Sequence, residues 1–111
     1  MSYFRLSEFR CPHCQSTVID PRLMAKLEEL RDIHGGPITI TSGYRCPTHN
    51  KAVGGVTASQ HVYGRAADIK SSDLNKLYED AQKIFKAVGD GRVKGFVHVD
   101  LRDDKVRRWV Y

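Results

Sequence analysis

Phe96-Val97-His98-Val99-Asp100-Leu101 is a stretch whose two sets of alternate side chains have opposite character. Successive side chains of a strand point to opposite faces, so Val97, Val99 and Leu101 share one face while Phe96, His98 and Asp100 share the other. The first face needs a core to lie against. The second sets an imidazole beside a carboxylate, about 7 Å apart along the strand at its usual rise per residue. A chain of 111 residues has room for one hydrophobic core and little for a second module. The remaining segments must therefore supply the layer that covers the valines.

Two segments carry the pattern for that layer. Asp20-Pro21 reads as an N-cap followed by proline at the first helical position. Leu23, Met24, Leu27, Leu30 and Ile33 then recur at helical spacing while Lys26, Glu28, Glu29 and Arg31 face away, and Gly35-Gly36 ends the helix. Ser71-Ser72-Asp73 caps a second helix, in which Leu74, Leu77, Tyr78, Ala81, Ile84, Phe85 and Val88 follow the helical period up to Gly89.

Strand signals fill the intervals. Pro37 leads into Ile38-Thr39-Ile40-Thr41, with the isoleucines inward. Ser42 to Arg45 turns out of this strand, and Cys46-Pro47 opens a short helix reaching about Val53, which Gly54-Gly55 breaks. A loop with Thr57, Ser59 and His61 leads to a strand from Arg65 to Lys70, placing Ala67 and Ile69 on one face and Ala66, Asp68 and Lys70 on the other. Gly91 and Gly95 bracket a basic turn before Phe96, and Val106 to Tyr111 closes the chain as a last strand. Residues 1–19 read as an irregular segment anchored by Leu6, Phe9 and Val18. The order predicts a single α+β domain over residues 1–111, with helices packed on one sheet.

Composition narrows the function classes. Hydrophobic content of 41% and charged content of 28% are ordinary for a soluble domain, and no apolar run is long enough to span a bilayer. The start, Met1 to Glu8, lacks the apolar h-region of a secretory signal. Synthesis in the cytoplasm is expected, with any work outside the cell depending on lysis or on incorporation into a particle. The net charge of +5 favours polyanionic partners in general. The basic residues are scattered, however, apart from Lys105, Arg107 and Arg108. There is no recognition-helix pattern, no ribonucleoprotein-type aromatic motif and no phosphate loop, so nucleic acid is not the expected partner.

Cys11-Pro12-His13-Cys14 has the spacing of half a zinc ribbon without the other half, and Cys46 is the one further thiol. An odd count argues against a disulfide framework. Plain thiols, a structural metal and a disulfide to Cys46 all remain compatible with the pattern.

His98 alone on a strand would more often be structural than a ligand. His61 and Asp68 lie seven apart, and Gly64 with Ala66-Ala67 argues against a continuous helix between them. A turn followed by a strand would let Asp68 point back toward His61, and Gly64 suits a positive φ or a close backbone approach. A solvated His61 with Ser59 as a loop cap fits the spacing equally well. Taken together, two imidazoles and one carboxylate with a fourth position left to water are what a catalytic zinc requires.

Ser42-Gly43-Tyr44-Arg45, then Asn50 with Gly54-Gly55, then Ser59-x-His61-x-x-Gly64-x-Ala66-x-Asp68, then Phe96-Val97-His98-Val99-Asp100 resembles the zinc D-Ala-D-Ala carboxypeptidase family of metallopeptidases. Val106-Arg107-Arg108-Trp109 resembles a branch of murein endopeptidases in the same superfamily. The likeness runs over about residues 20–111. It implies one Zn2+ held by His61, Asp68 and His98, and the hedgehog/DD-peptidase fold, an α+β domain whose antiparallel sheet holds the metal. Arg45 would help hold the substrate or the developing oxyanion, and Ser59 and Gln60 would line the substrate side. Several family members carry a Glu or Asp a few positions before the last zinc histidine, as general base. Arg92 to Val97 contains none. Asp100, on the face of His98, is then the expected base; the competing reading makes it a partner that orients an imidazole, or a salt bridge to Arg102. His13, His34 and His49 are given no metal role.

The resemblance implies a zinc peptidase cutting an amide of the peptidoglycan stem peptide or cross-bridge, as D,D-carboxypeptidase or endopeptidase; a monomer is expected, and the lack of a secretory signal or wall-binding pattern points to a phage or prophage lysis or tail-associated setting. The rival readings are a metal-bearing wall- or protein-binding module without turnover, and a basic nucleic-acid-binding domain built around Cys11 and Cys14.

Overall fold

The computed structural model describes residues 3–55 and 59–111. Thr57, expected on the loop before His61, lies outside the described residues. Five strands form one sheet: β1 (Thr39–Ser42), β2 (Ala66–Lys70), β3 (Ala87–Gly91), β4 (Phe96–Asp100) and β5 (Arg107–Val110), in the spatial order β1-β2-β4-β3-β5. Two longer helices, α1 (Pro21–His34) and α3 (Leu74–Ile84), pack on each other, and a short α2 (Pro47–Ala52) follows β1. The α+β class holds. No helix among the described residues is long and apolar enough to cross a membrane.

The expected antiparallel sheet is mixed. β1–β2, β2–β4 and β3–β4 pair antiparallel, but β3 and β5 run parallel. The cause is topological. After β4 the chain reverses, then skips a place to reach the far side of β3. A strand antiparallel to β4 that pairs with β3, itself antiparallel to β4, must be parallel to it.

The second long helix also stops earlier than its periodicity predicts. Ile84 is its last residue, Phe85 is extended, and Ala87 to Gly91 is a strand rather than the end of a helix. Val88 sits at a helical interval from Phe85 and Leu77, yet it is buried as a strand residue opposite Val99. β4 is buried at the centre of the sheet and its outer row of N–H and C=O groups has to be paired. Residues 87–91 do this, and the period-2 signal is obscured because Gly89 and Gly91 have no side chains.

One face of the sheet is the core. Ala67, Ile69, Val88, Val97 and Val99 meet Leu23, Leu27 and Leu30 of α1 and Leu77 and Ala81 of α3 in a single buried cluster. Asp20 caps α1 by accepting from the backbone N–H of Arg22, and Gly35 ends it with φ of +74°. Two expected anchors differ. Leu6 and Val18 are exposed, and Phe4 joins Phe9 in the core. On α1 the buried stripe is Leu23, Leu27, Leu30 and His34, while Ile33 is exposed.

A histidine can close that apolar stripe because its polar atoms are met. His34 Nδ1 faces Asp80 at 3.1 Å and Nε2 faces the Ser71 hydroxyl at 2.9 Å. Asp80 also accepts from Lys76 at 2.8 Å and Lys83 at 3.0 Å. Burial opposes ionisation of Asp80, but the bonds from Lys76, Lys83 and His34 outweigh it and hold the carboxyl well below the usual range. A depressed folded-state pKa gives stability that is complete above the unfolded value and is lost as pH falls through the folded one. Asp80→Asn should therefore cost about 2 kcal/mol at neutral pH, near the low end for a charged network because both lysines are half-exposed and can turn to water. Urea unfolding of both proteins between pH ~5 and ~2 should show the difference shrinking as the pH drops. A constant difference would mean the charge of Asp80 is not its cause.

Candidate metal centre

The face of the sheet opposite the core holds the polar residues that the alternation sets apart. Antiparallel pairing places Asp68 on β2 directly across from His98 on β4. The same row continues through Gly89 on β3 to Trp109 on β5, and on the other side to Ser42 on β1. His61 comes from outside the sheet, on a 3-10 turn at Gln60–Tyr63. Ser59 caps this turn by accepting from the His61 N–H at 3.2 Å.

Gly64 reverses the chain from that turn into β2. Its φ is +68°, and a Cβ there would lie 2.4 Å from the Val18 carbonyl oxygen, so both conditions that favour glycine are met. The reversal brings Asp68 back under His61. His61 Nε2 lies 3.3 Å from Asp68 Oδ1, and His98 Nδ1 lies 2.9 Å from the same oxygen. One ligand atom from each of His61, Asp68 and His98 falls within 4.8 Å of the other two. All three side chains are largely buried, on the floor of a cavity of about 520 Å³.

Each imidazole is oriented through its other nitrogen. His61 Nδ1 stands 2.8 Å from the Gly43 carbonyl oxygen, an acceptor only, which makes Nδ1 the donor and leaves Nε2 on the side of Asp68. His98 Nε2 stands 2.9 Å from Asp100 Oδ2, which likewise leaves Nδ1 for the shared centre. Gly43 reaches this position because it has no side chain: a Cβ would sit 2.6 Å from the Phe9 backbone.

Asp100, expected as a base, is 1% exposed. One of its oxygens takes the N–H and Nε of Arg102, and the other takes Arg102 Nη2 along with His98. Arg45 donates to Asp68 Oδ2 at 3.2 Å and to the Ser42 hydroxyl at 3.2 Å. Asp68 thus has one oxygen toward the histidines and the other held by a guanidinium. Ser59 and Gln60 both line the cavity.

The electrostatics follow from these contacts. Burial would raise the Asp68 carboxyl, but hydrogen bonds from His61 and His98 hold it well below the usual carboxylate range. Burial also opposes ionisation of Asp100, and His98 and Arg102 bring its pKa down to about 2. Burial disfavours the charged form of His98, yet its bonds to Asp100 and Asp68 win and raise it. Nitrogen and oxygen donors gathered with this much negative charge suit a divalent cation. Two imidazoles and one carboxylate are a ligand set that zinc takes with a fourth position open.

Several lining residues were not singled out from the sequence. Trp109 and Tyr111 form a wall, with ring centroids 5.3 Å and 6.3 Å from that of His98, and Phe96 packs against Tyr111 with centroids 4.9 Å apart and rings tilted by 56°. Gly89 makes room for them: a Cβ there would come within 2.7 Å of both Trp109 and Tyr111. Strand alternation offered a signal, since Phe96 shares the His98 face and Trp109 and Tyr111 are two apart. Nothing in the sequence indicated that β3 would present a glycine between them.

A segment of 47 residues, 41% of this chain, is 47% identical to the zinc D-Ala-D-Ala carboxypeptidase of Streptomyces albus G. The segment corresponds to 18% of that protein's length, so the chain is similar to a small part of it. Residues 2–100 match the family described as Peptidase M15. That match spans nearly the whole chain, and the chain belongs to the Peptidase M15 family.

Proposed function

We propose that this chain is a zinc-dependent peptidase acting on peptidoglycan, hydrolysing an amide of the stem peptide or cross-bridge, with His61, Asp68 and His98 as the metal ligands. The observation that carries the reading is the convergence of three ligand atoms from three separate segments within 4.8 Å, on a cavity floor. Family membership and the name of the similar Streptomyces albus G protein support this reaction and substrate class. Zinc held by three protein ligands lowers the pKa of a bound water to about 7 and polarises a scissile carbonyl.

The chain's own residues then have separable tasks. Gly43 and Asp100 hold the two imidazoles in the tautomers that present a lone pair to the metal. Asp100 acts as the positioning residue of His98 in this reading, since a carboxylate with both oxygens engaged and 1% exposure is badly placed to take a proton from solvent. Arg45 gives one donor to Asp68 and one to the Ser42 hydroxyl, and a guanidinium has five. Its remaining edge suits a substrate carboxylate or the oxyanion that develops on the carbonyl. Ser59 and Gln60 contribute a hydroxyl and an amide to the same cavity. Trp109 and Tyr111 give it an apolar wall that excludes water from one side.

Among the described residues, Asp68 and Asp100 are the only carboxylates lining the cavity, and both are engaged. This favours one rival, a metal-bearing wall-binding module without turnover. Incubation with purified cell wall separates the two. The peptidase reading expects release of peptide or amine ends that a chelator stops and added zinc restores. Release that ignores the chelator overturns the metal mechanism, and wall binding by the zinc-loaded protein without release establishes the rival.

A further inference from the structure

The N-terminal segment meets the rest of the chain at a second cluster of metal-ligating side chains. Cys11 and Cys14 lie on a tight turn closed by the Gln15 N–H bonding to the Cys11 carbonyl at 2.9 Å, and Cys46 is the N-cap of α2. All three are free thiols, and their sulfurs lie within 4.8 Å of one another. Around a tetrahedral zinc, with bonds of about 2.3 Å, sulfurs sit roughly 3.8 Å apart. A small contraction brings these three to that spacing. A disulfide would use two of the sulfurs and leave the convergence of the third unexplained.

Backbone N–H groups are aimed at two of the sulfurs. The Cys46 N–H points at Cys11 Sγ at 3.5 Å, and the His49 N–H points at Cys46 Sγ at 3.4 Å. His13 Nδ1 lies 3.5 Å from Cys46 Sγ, close to the separation of neighbouring ligands in a zinc site.

We propose that Cys11, Cys14 and Cys46 form a structural site for a zinc-like divalent ion on three thiolates, with the His13 imidazole beside Cys46. The ion would clamp the N-terminal segment to the stretch 43–46. That stretch contains the Gly43 carbonyl that orients His61, and Arg45, which holds Asp68. The contact is already established between backbones, with the Tyr44 N–H bonding to the Phe9 carbonyl at 2.9 Å. The inference is independent of the peptidase reading, because no residue is shared between the two metal sites.

Cobalt(II) titration of reduced protein tests it, in wild type and in Cys14→Ser. Cys14 is exposed, so serine there opens no hole in the core. Wild type should develop thiolate-to-cobalt charge-transfer absorption that zinc displaces stoichiometrically. Loss of an outer-shell partner costs metal sites 10–100-fold in affinity, so loss of a ligand sulfur in Cys14→Ser should weaken this site by more than about 100-fold. His98→Ala, which dismantles the other centre, should keep the charge-transfer band. A wild-type titration that shows cobalt uptake without that band, or three thiols still freely reactive in excess zinc, overturns the proposal. So does recovery of a disulfide-linked chain that is lighter by two hydrogens and takes up no metal at the cysteines.

Discussion

His98→Ala should remove the zinc of the His61–Asp68–His98 centre and lower amide hydrolysis by roughly 10³-fold or more, since the metal supplies several kcal/mol of transition-state stabilisation and each 1.4 kcal/mol is about tenfold. Two ligands remain in this variant, one of them Asp68, whose second oxygen is tied to Arg45. A bidentate remnant cannot hold zinc at the affinity of three convergent donors. Total zinc should fall by one equivalent per chain and not to zero, because the cysteine cluster is untouched. The variant must be shown to fold. His98 is buried against Trp109, so alanine leaves a cavity as well as a missing ligand. His98→Gln keeps most of the volume and a donor toward Asp100, and it should lose the metal equally. Unchanged zinc content in both variants, or wall hydrolysis at the wild-type rate, would remove His98 from the site and the assignment with it.

Asp100→Asn should weaken zinc binding by about 10–100-fold, the usual cost of losing a carboxylate behind a metal-bound histidine, and most of the lost turnover should return at saturating zinc. The reason lies in which atoms Asp100 touches. Its Oδ2 receives His98 Nε2 at 2.9 Å and Arg102 Nη2 at 2.8 Å, and Oδ1 receives two further donors from Arg102. An asparagine keeps the shape but presents one neutral acceptor, so His98 loses the charge that fixes its tautomer. A general base would behave differently: zinc affinity would be unchanged, turnover would fall by about 10²–10⁴-fold, and excess zinc would not restore it. Rates measured across a range of free zinc therefore choose between the two roles. Unfolding free energy should fall as well, by about 1.5–3 kcal/mol for a buried charged hydrogen bond.

Much of the local structure was legible because it depends on neighbours in sequence. Asp20-Pro21 supplies a cap and a proline that needs no donor, and α1 starts there. Gly64 was expected to turn the chain back between His61 and Asp68, and it has the positive φ that such a turn needs. The alternation around His98 correctly separated the core face from the polar face of β4. The failures are equally specific. Ile33 and His34 are adjacent, and either could close the stripe on α1; the choice fell to His34 because Asp80 and Ser71, far along the chain, satisfy its nitrogens. Val88 obeys the helical period and still lies in a strand, because an unpaired row of hydrogen-bonding groups on β4 outweighs a local preference. Leu6 and Phe4 are both large and apolar, and packing against Phe9 selected Phe4.

What the sequence alone supplied was the candidate inventory, two imidazoles, a carboxylate and Arg45, and the face of β2 and β4 on which Asp68 and His98 lie. What only the tertiary structure decided was the meeting of those members. Period-2 alternation sorts side chains between two faces but says nothing about which residue of another strand stands opposite. That register is set by Ala67 and Ile69 packing with Val99 and Val97 beneath α1 and α3. The core on one side of the sheet therefore places Asp68 across from His98 on the other, and the contacts of Gly89 with Trp109 and of Cys46 with Cys11 are long-range in the same sense.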